Sequence, residues 1–356
     1  SDYETLGDLN GEAIGHLDNN VHKGLNNAIE KIDNNIDFES VILDDINSLV
    51  DNLIDEEVAA IILEDAQITM LKETNNELMD NLRIIENYSI ETEIKNINKD
   101  IDVTSDSYNI LITGIDSYGS ITRVSRSDVN MIVSVNPKEN KILLTSIPRD
   151  YYVYLSDYGD YDKLTHTGIY GIDVTTKALE DLLDIDINYY VKVNFTTLVD
   201  IVDELGGITV NSKYDFTSID GYHFSKGNNN LNGAEALSFA RERQAFSEGD
   251  RVRVENQQLV LTAIINKVLS AGIITNYNNL LNALSGEFLT NITNKEITDL
   301  IKWQIDGMYG WNIESIALDG SNAFDYTYSY KNQKLYVMMP YPESVNSVKE
   351  KIKSVL

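Results

Sequence analysis

Cysteine is absent from all 356 residues, so disulfide scaffolds, thiolate nucleophiles and Cys-ligated metals are excluded. Histidine is scarce, with four scattered along the chain, which argues against a His-rich metal site. Positive charge is scarce too: 28 Lys+Arg face 57 Asp+Glu, giving a formal net charge of −29 and a pI near 4.3. That balance disfavours a nucleic-acid partner, because phosphate backbones are held by a basic face. No apolar run approaches the roughly 18–20 residues needed to span a bilayer. The chain opens with Ser1 rather than Met, on a polar segment, as an excised soluble part would.

What is present is enough for real cores. Hydrophobic residues make up 42% of the chain, and its length allows two or three domains. Charge is unevenly spread: residues 1–103 hold 25 acidic and 6 basic residues, the remainder 32 and 22. Both Trp and most of the 21 Tyr lie beyond residue 105. This shift, at the polar stretch Asn96-Ile97-Asn98-Lys99-Asp100, predicts a boundary near 100–106 between domains 1–104 and 105–356.

Periodicity in the first domain alternates. Val21, Leu25, Ala28, Ile29 and Ile32 recur at helical spacing, and residues 38–43 read as a short strand. Ile46, Leu49, Val50, Leu53 and Ile54 share one helical face. The run Val58-Ala59-Ala60-Ile61-Ile62-Leu63 fits a buried parallel strand, with a helix expected over about 66–82. The pattern is a small α/β lobe with acidic, solvated helix exteriors and no catalytic set.

The second domain is also α/β. Residues 108–113 form a predicted strand, and 129–135 and 141–147 a hairpin. Helices are expected near 174–184, 196–205, 233–243, 250–271 and 294–306, and at the C-terminus. Strands are expected near 188–194, 207–213, 312–318 and 334–339. The alternation predicts a central mixed sheet covered by helices on both faces.

Arginine use is the most informative feature. Seven of eight Arg fall between 123 and 253, while Lys supplies the other 20 cations. Arginine offers a planar donor fork that grips phosphate bidentately, which generic solvation does not require. Several sit beside acids, as in Arg126-Ser127-Asp128, Arg149-Asp150 and Asp250-Arg251. Any single pair is better read as a structural ion pair. The cluster as a whole, in so acidic a chain, points to phosphate oxygens and a divalent metal held together, as in phosphoryl transfer.

At these residues the chain resembles the LytR–CpsA–Psr family. The opening motifs are Ile112-Thr113-Gly114-Ile115-Asp116, Ser125-Arg126-Ser127-Asp128 and Ser146-Ile147-Pro148-Arg149-Asp150. Lys163-Leu164-Thr165-His166 and Val202-Asp203-Glu204-Leu205-Gly206-Gly207-Ile208 match the middle. Phe239-Ala240-Arg241-Glu242-Arg243, Gly249-Asp250-Arg251-Val252-Arg253 and Asn256-Gln257-Gln258 match the distal block. The order and spacing agree over about residues 108–270, with Thr167 standing where the family usually has Ala. The tail resembles an extension of CpsA-like members, and the first domain their accessory domain.

The resemblance implies an extracytoplasmic, membrane-anchored phosphotransferase of Gram-positive-type bacteria. Such enzymes move a glycopolymer phosphate from a polyprenyl diphosphate carrier to the C6 hydroxyl of peptidoglycan N-acetylmuramic acid, usually with Mg²⁺. A polyprenyl diphosphate pyrophosphatase and a non-catalytic lipid or glycan binding protein are the rival readings.

Residue roles follow from the match and the chemistry together. Asp116, past a strand end, and Asp128, at the start of the next strand, suit Mg²⁺, which prefers oxygen ligands. Arg126, Arg149, Arg241 and Arg243 would clamp the diphosphate, converging only if a helix ends near 241–243. Asp250 as a helix cap would place Arg251 in a first turn that attracts anions, with Arg253 nearby. Lys163 would support the diphosphate, His166 the acceptor, and Gln257 and Gln258 sugar or phosphate. Asp128 and Asp150 are both candidates for the general base. A lipid trough is expected along Leu179, Leu182, Leu183, Phe195, Leu198, Val199 and Val202, residues that core packing explains equally well.

Overall fold

A computed structural model describes residues 3–17, 23–63, 67–68, 71, 82–88, 101–115, 118, 121, 125–247, 249–270, 288–307 and 309–356. Most of the helix expected over 66–82, the polar stretch at 96–100, Asp116 and Arg123 lie outside these residues.

The first lobe is α/β, as its alternation predicts. Strand β1 (Ala13–Leu17) leads to helix α1 (Lys23–Asp33), β2 (Glu39–Leu43), α2 (Ile46–Ile54) and β3 (Ala60–Ile61). The sheet is parallel with order β2-β1-β3. The apolar run at 58–63 therefore supplies a two-residue edge strand rather than a central one. The buried centre is β1, where His16 meets Ser40 Oγ at 2.6 Å and Leu17 O at 2.7 Å. Asp45 caps α2 by accepting from Ser48 N at 3.0 Å.

The second part is built on a six-stranded mixed sheet. Strand β4 (Tyr108–Gly114) pairs antiparallel with β5 (Val129–Asn136), which pairs with β6 (Lys141–Ile147). The β5–β6 hairpin turns with Asn140 in the left-handed region at φ 53°, a conformation Asn tolerates. The chain continues through a small hairpin, β7 (Tyr152–Leu155) and β8 (Asp160–Lys163). Helices α3 (Leu164–Tyr170) and α4 (Ile172–Leu183) then return it to β9 (Tyr189–Val193), parallel to β4.

Helix α5 (Phe195–Glu204) is followed by β10 (Ile208–Ser212), β11 (Phe216–Thr217), β12 (His223–Phe224) and β13 (Gly227–Leu231). Next come α6 (Gly233–Arg241) and the long α7 (Gly249–Val268). Strand β14 (Leu289–Thr290), helix α8 (Asn294–Gly307) and β15 (Asn312–Ala317) complete the large sheet, ordered β14-β9-β4-β5-β6-β15. A long ribbon of β16 (Gly320–Thr327) and β17 (Tyr330–Pro340) precedes α9 (Pro342–Lys353).

Helices cover both sheet faces, as the alternation predicts. One face carries Leu111, Ile132 and Leu143 against Leu179 and Leu183 of α4 and Ile352 of α9. The opposite face carries Met131, Val133 and Leu144 beneath Leu261 and Ile265 of α7. A separate aromatic cluster, Phe216, Phe224 and Phe239, joins α5, α6 and the small strands. The two lobes also share apolar contacts: Leu17, Leu25, Ile46, Leu49 and Val50 pack with Ile169 and Tyr330. Among the described residues no helix is long and apolar enough to cross a membrane.

Candidate active site

The site forms where the ends of β4, β6 and β8 meet. Their backbones are laced together: Asp128 N donates to Gly114 O at 2.9 Å, Ser127 N to Thr165 O at 2.9 Å, and Thr165 N to Arg149 O at 2.8 Å. Gly168 of α3 makes this approach possible. A Cβ there would lie 2.6 Å from Ser125 O and 2.7 Å from Ser127 N. On the other side, Met338 N of β17 donates to Asp150 O at 2.7 Å. Ser127 is buried, bonding Asn130 Oδ1 at 2.6 Å and the Thr113 hydroxyl.

Onto this frame the chain places an alternating ion-pair web. Arg149 donates from Nη1 to Asp128 Oδ1 at 3.1 Å, and its Nε lies 3.5 Å from Asp150 Oδ2. Lys163 Nζ reaches the other Asp150 oxygen at 2.6 Å. Arg253 reaches Asp250 Oδ1 at 2.6 Å, one turn apart on α7. Burial by itself would lower the pKa of Arg149, but the charges of Asp128, Asp150 and Asp250 outweigh it and hold that pKa above the ordinary arginine value. For Arg253 burial wins: its pKa is lowered, with Asp250 opposing the shift and Arg149 adding to it. Both arginines stay charged, so both are desolvated cations at one place.

The two guanidinium groups are also under-bonded. Arg149 Nε and Arg253 Nε are buried, and neither makes a hydrogen bond. A buried donor without an acceptor is costly, and two of them on cations mark a place built for an anion.

Arg241 and Arg243 meet the condition for convergence. Helix α6 ends at Arg241, and Glu242 turns extended at φ −64°, ψ 128°, so the two side chains are freed from one helical register. Glu242 is buried and pins this corner by accepting from Ile219 N at 2.7 Å and Ala245 N at 2.8 Å. Arg241 lies over the Phe195 ring at 4.2 Å, a cation–π contact. Arg243 is exposed and close enough to Arg253 to perturb it. Arg126 is half-buried in the loop leading to Asp128.

Three sequence expectations change. Gln258 is buried beneath the sheet, its amide donating to Ser146 Oγ at 3.0 Å and Ile316 O at 2.8 Å; it ties α7 to β6 and β15 instead of meeting a ligand. His166 is buried as well, its Nδ1 within 2.6 Å of Asp162 Oδ1 and 2.7 Å of Ser329 Oγ. It locks α3 to the ribbon, a structural role, because helical position 166 points inward when Thr165 points at Asp128. Helix α7 begins at Gly249, so Asp250 lies in its first turn and binds Arg253 rather than capping. Arg251 is exposed beside it, and Gln257 is half-buried. The expected lipid trough divides: Leu179 and Leu183 belong to the core under the sheet, Val202 to the separate aromatic cluster, and Phe195 lies beneath Arg241.

Other residues at the site had no distinguishing spacing. Thr165 donates to Asp128 Oδ1 at 3.1 Å. Tyr336 stands 5.9 Å from Lys163 Nζ, and burial first, then Asp150 and Asp250, raise its pKa. Lys192 is in register with Thr113 on the adjoining strand, and burial pushes its pKa down to about 8.

The donor set is compatible with a hard cation. Both bonds to Asp128 converge on Oδ1, and among the described residues none is made to Oδ2. No group of three or more His, Asp or Glu poised to hold a metal occurs among the described residues. Magnesium commonly needs only one or two carboxylates beside phosphate oxygens and water, so Asp128 fits it.

Comparison with known proteins gives the chain its family. The LytR_cpsA_psr family matches residues 71–350, a span that begins ahead of the 104/105 division. The polyisoprenyl-teichoic acid–peptidoglycan teichoic acid transferase TagU of Bacillus cereus (strain AH820) is 36% identical over 227 residues, 64% of this chain and 74% of that protein. The crystal structure of B. subtilis TagU superposes with a TM-score of 0.55 at 31% identity, covering 71% of this chain and 97% of that one. TagT bound to LIIa-WTA gives 0.59 at 32% identity, over 72% and 94%. With a match over most of its length, the chain belongs to the LytR_cpsA_psr family.

Proposed function

We propose that this protein transfers a glycopolymer phosphate from a polyprenyl diphosphate carrier to the C6 hydroxyl of N-acetylmuramic acid in peptidoglycan. The carrying observation is the pair of buried, unbonded Nε–H groups on Arg149 and Arg253, beside acids that fix each guanidinium. The transferase names of the relatives support the same class of reaction.

The chemistry needs little from the protein beyond positioning and charge. Arg149 and Arg253 grip the diphosphate, and Arg241 and Arg243 neutralise negative charge growing on the leaving phosphate. Attack by the sugar hydroxyl, its proton passing to one of the two carboxylates Asp128 and Asp150, forms one P–O bond as the bond to the carrier's remaining phosphate breaks and polyprenyl phosphate leaves. Asp150, held by Lys163 and Arg149, keeps the Arg149 fork aimed at that point. Asp128 would hold Mg²⁺, with Asp116 as its second carboxylate. When bound, the ion supplies charge neutralisation at the phosphate oxygens.

The test is turnover of a polyprenyl diphosphate-linked polymer with Mg²⁺ and with excess chelator. Loss of transfer in chelator, restored by Mg²⁺, supports the metal role. Undiminished transfer in chelator refutes it.

A further inference from the structure

A strip of exposed aromatic rings runs outward from the site on the β7–β8 hairpin and the β16–β17 ribbon. Register places Tyr154 opposite Tyr161 and Tyr152 opposite Lys163, so all four side chains stand on the hairpin's outer face. Tyr152 and Tyr161 are stacked, 5.0 Å between centroids with planes 22° apart, and Tyr154 lies 5.1 Å from Tyr161. On the ribbon, Phe324 is opposite Tyr336, with rings 6.0 Å apart. The two halves are fastened together: Tyr152 OH donates to Tyr326 O at 2.7 Å, and Lys163 Nζ lies 5.9 Å from the Tyr336 ring. That same Nζ bonds Asp150, so the strip ends one side chain from the phosphate-binding arginines.

These rings are not core. Phe324 is 67% exposed, Tyr326 50%, and Tyr154 and Tyr161 45% each. The opposite face of the hairpin, Val153 and Leu155, supplies the packing against the main core. Clustered exposed aromatics of this extent mark an interaction surface rather than chance exposure.

We infer that the strip is the docking platform for the acceptor glycan strand of peptidoglycan, with pyranose rings lying on the aromatic faces. This rests on the transferase reading above. Three observations select this occupant. Flat aromatic faces offer apolar area with π density to the C–H face of a sugar ring. A polar partner for sugar hydroxyls stands on the same face of the ribbon: Asn322, in register with Met338 beside the Phe324–Tyr336 pair, accepts from Tyr336 OH at 2.8 Å. The lysines beside the rings are already neutralised, Lys334 by Asp325 at 3.4 Å and Lys163 by Asp150 at 2.6 Å, so neither is free to draw an anionic polymer. An uncharged amino-sugar backbone needs no free cation to dock. Continuity with Asp150 then delivers a sugar hydroxyl to the phosphate rather than to an unrelated surface.

The test is cosedimentation of the full chain with peptidoglycan sacculi stripped of anionic polymer, compared with binding to soluble teichoic acid. None of Tyr154, Tyr161 and Phe324 touches the ion-pair web, and all are exposed, so their variants should keep the wild-type melting temperature. Tyr161→Ala combined with Phe324→Ala is expected to weaken binding to stripped sacculi by about tenfold or more, as loss of an aromatic anchor does. Tyr161→Phe should bind like the wild type. Unchanged sacculus binding in the double variant, preferential binding of teichoic acid, or a self-association that the double variant abolishes would each overturn the assignment. Because binding is read without turnover, a chain that binds sacculi through these rings but never transfers polymer refutes the transferase reading alone.

Discussion

Replacing Arg149 by lysine separates charge from geometry. The guanidinium spans two carboxylates at once, with Nη1 3.1 Å from Asp128 and Nε 3.5 Å from Asp150, while Nε keeps no hydrogen bond of its own. A single ammonium cannot span both carboxylates and still present a planar fork to phosphate. The lost charge-assisted hydrogen bond is worth about 1.5–3 kcal/mol. Where the donor acts on the transition state, the loss is about 10²–10³ in rate. Steady-state turnover of a polyprenyl diphosphate donor should therefore fall by about two to three decades in Arg149→Lys, mostly in kcat. Melting temperature should change little, since Lys163 still holds Asp150 and backbone bonds still hold the loops. Wild-type kinetics in this variant would refute the reasoning and make Arg149 a structural ion-pair partner.

Three further outcomes follow from the packing. Gly168→Ala forces a Cβ to within 2.6 Å of Ser125 O, so it should displace the Arg126–Asp128 loop and cut turnover far more than it lowers the melting temperature; wild-type turnover would contradict the close approach. Lys192 has its pKa depressed by burial to about 8, below the usual unfolded value near 10.4, so the folded state binds fewer protons in that window. Its contribution to stability should therefore rise with pH from about 8 to about 10.4, by about 3 kcal/mol, and the wild-type minus Lys192→Met difference in urea stability should show that rise. A flat difference would show that Lys192 is solvated. Residues 105–356 alone should keep the chemical step, because the ion-pair web lies wholly beyond residue 113, yet melt lower through exposure of Ile169 and Tyr330. A folded but inactive fragment would make the first lobe part of the site.

Much of the fold was legible because its signals are local. The β5–β6 hairpin, the helices from α4 to α8 and the parallel first lobe all follow from period and turn chemistry. Strand β16 carries no periodic apolar signal, because its residues are mostly half-buried or exposed and alternate small, polar and aromatic types. At the site, residue type and motif order brought out the arginines and Asp128. They could not show that Gln258 and His166 turn inward, because burial there is decided by where α7 and α3 pack, not by spacing. Thr165 and Tyr336 carry no compositional signal, and their roles come from tertiary contacts with Asp128 and Lys163.

The most direct test of the central claim is product analysis after incubating the protein with polyprenyl diphosphate-linked polymer, Mg²⁺ and peptidoglycan. Muramidase digestion followed by mass spectrometry should yield polymer joined by a phosphodiester to a muramic acid C6 oxygen, absent with Asp128→Ala. Release of free polymer phosphate at the same rate with and without peptidoglycan, and no phosphodiester-linked product, would contradict transfer and make the protein a pyrophosphatase.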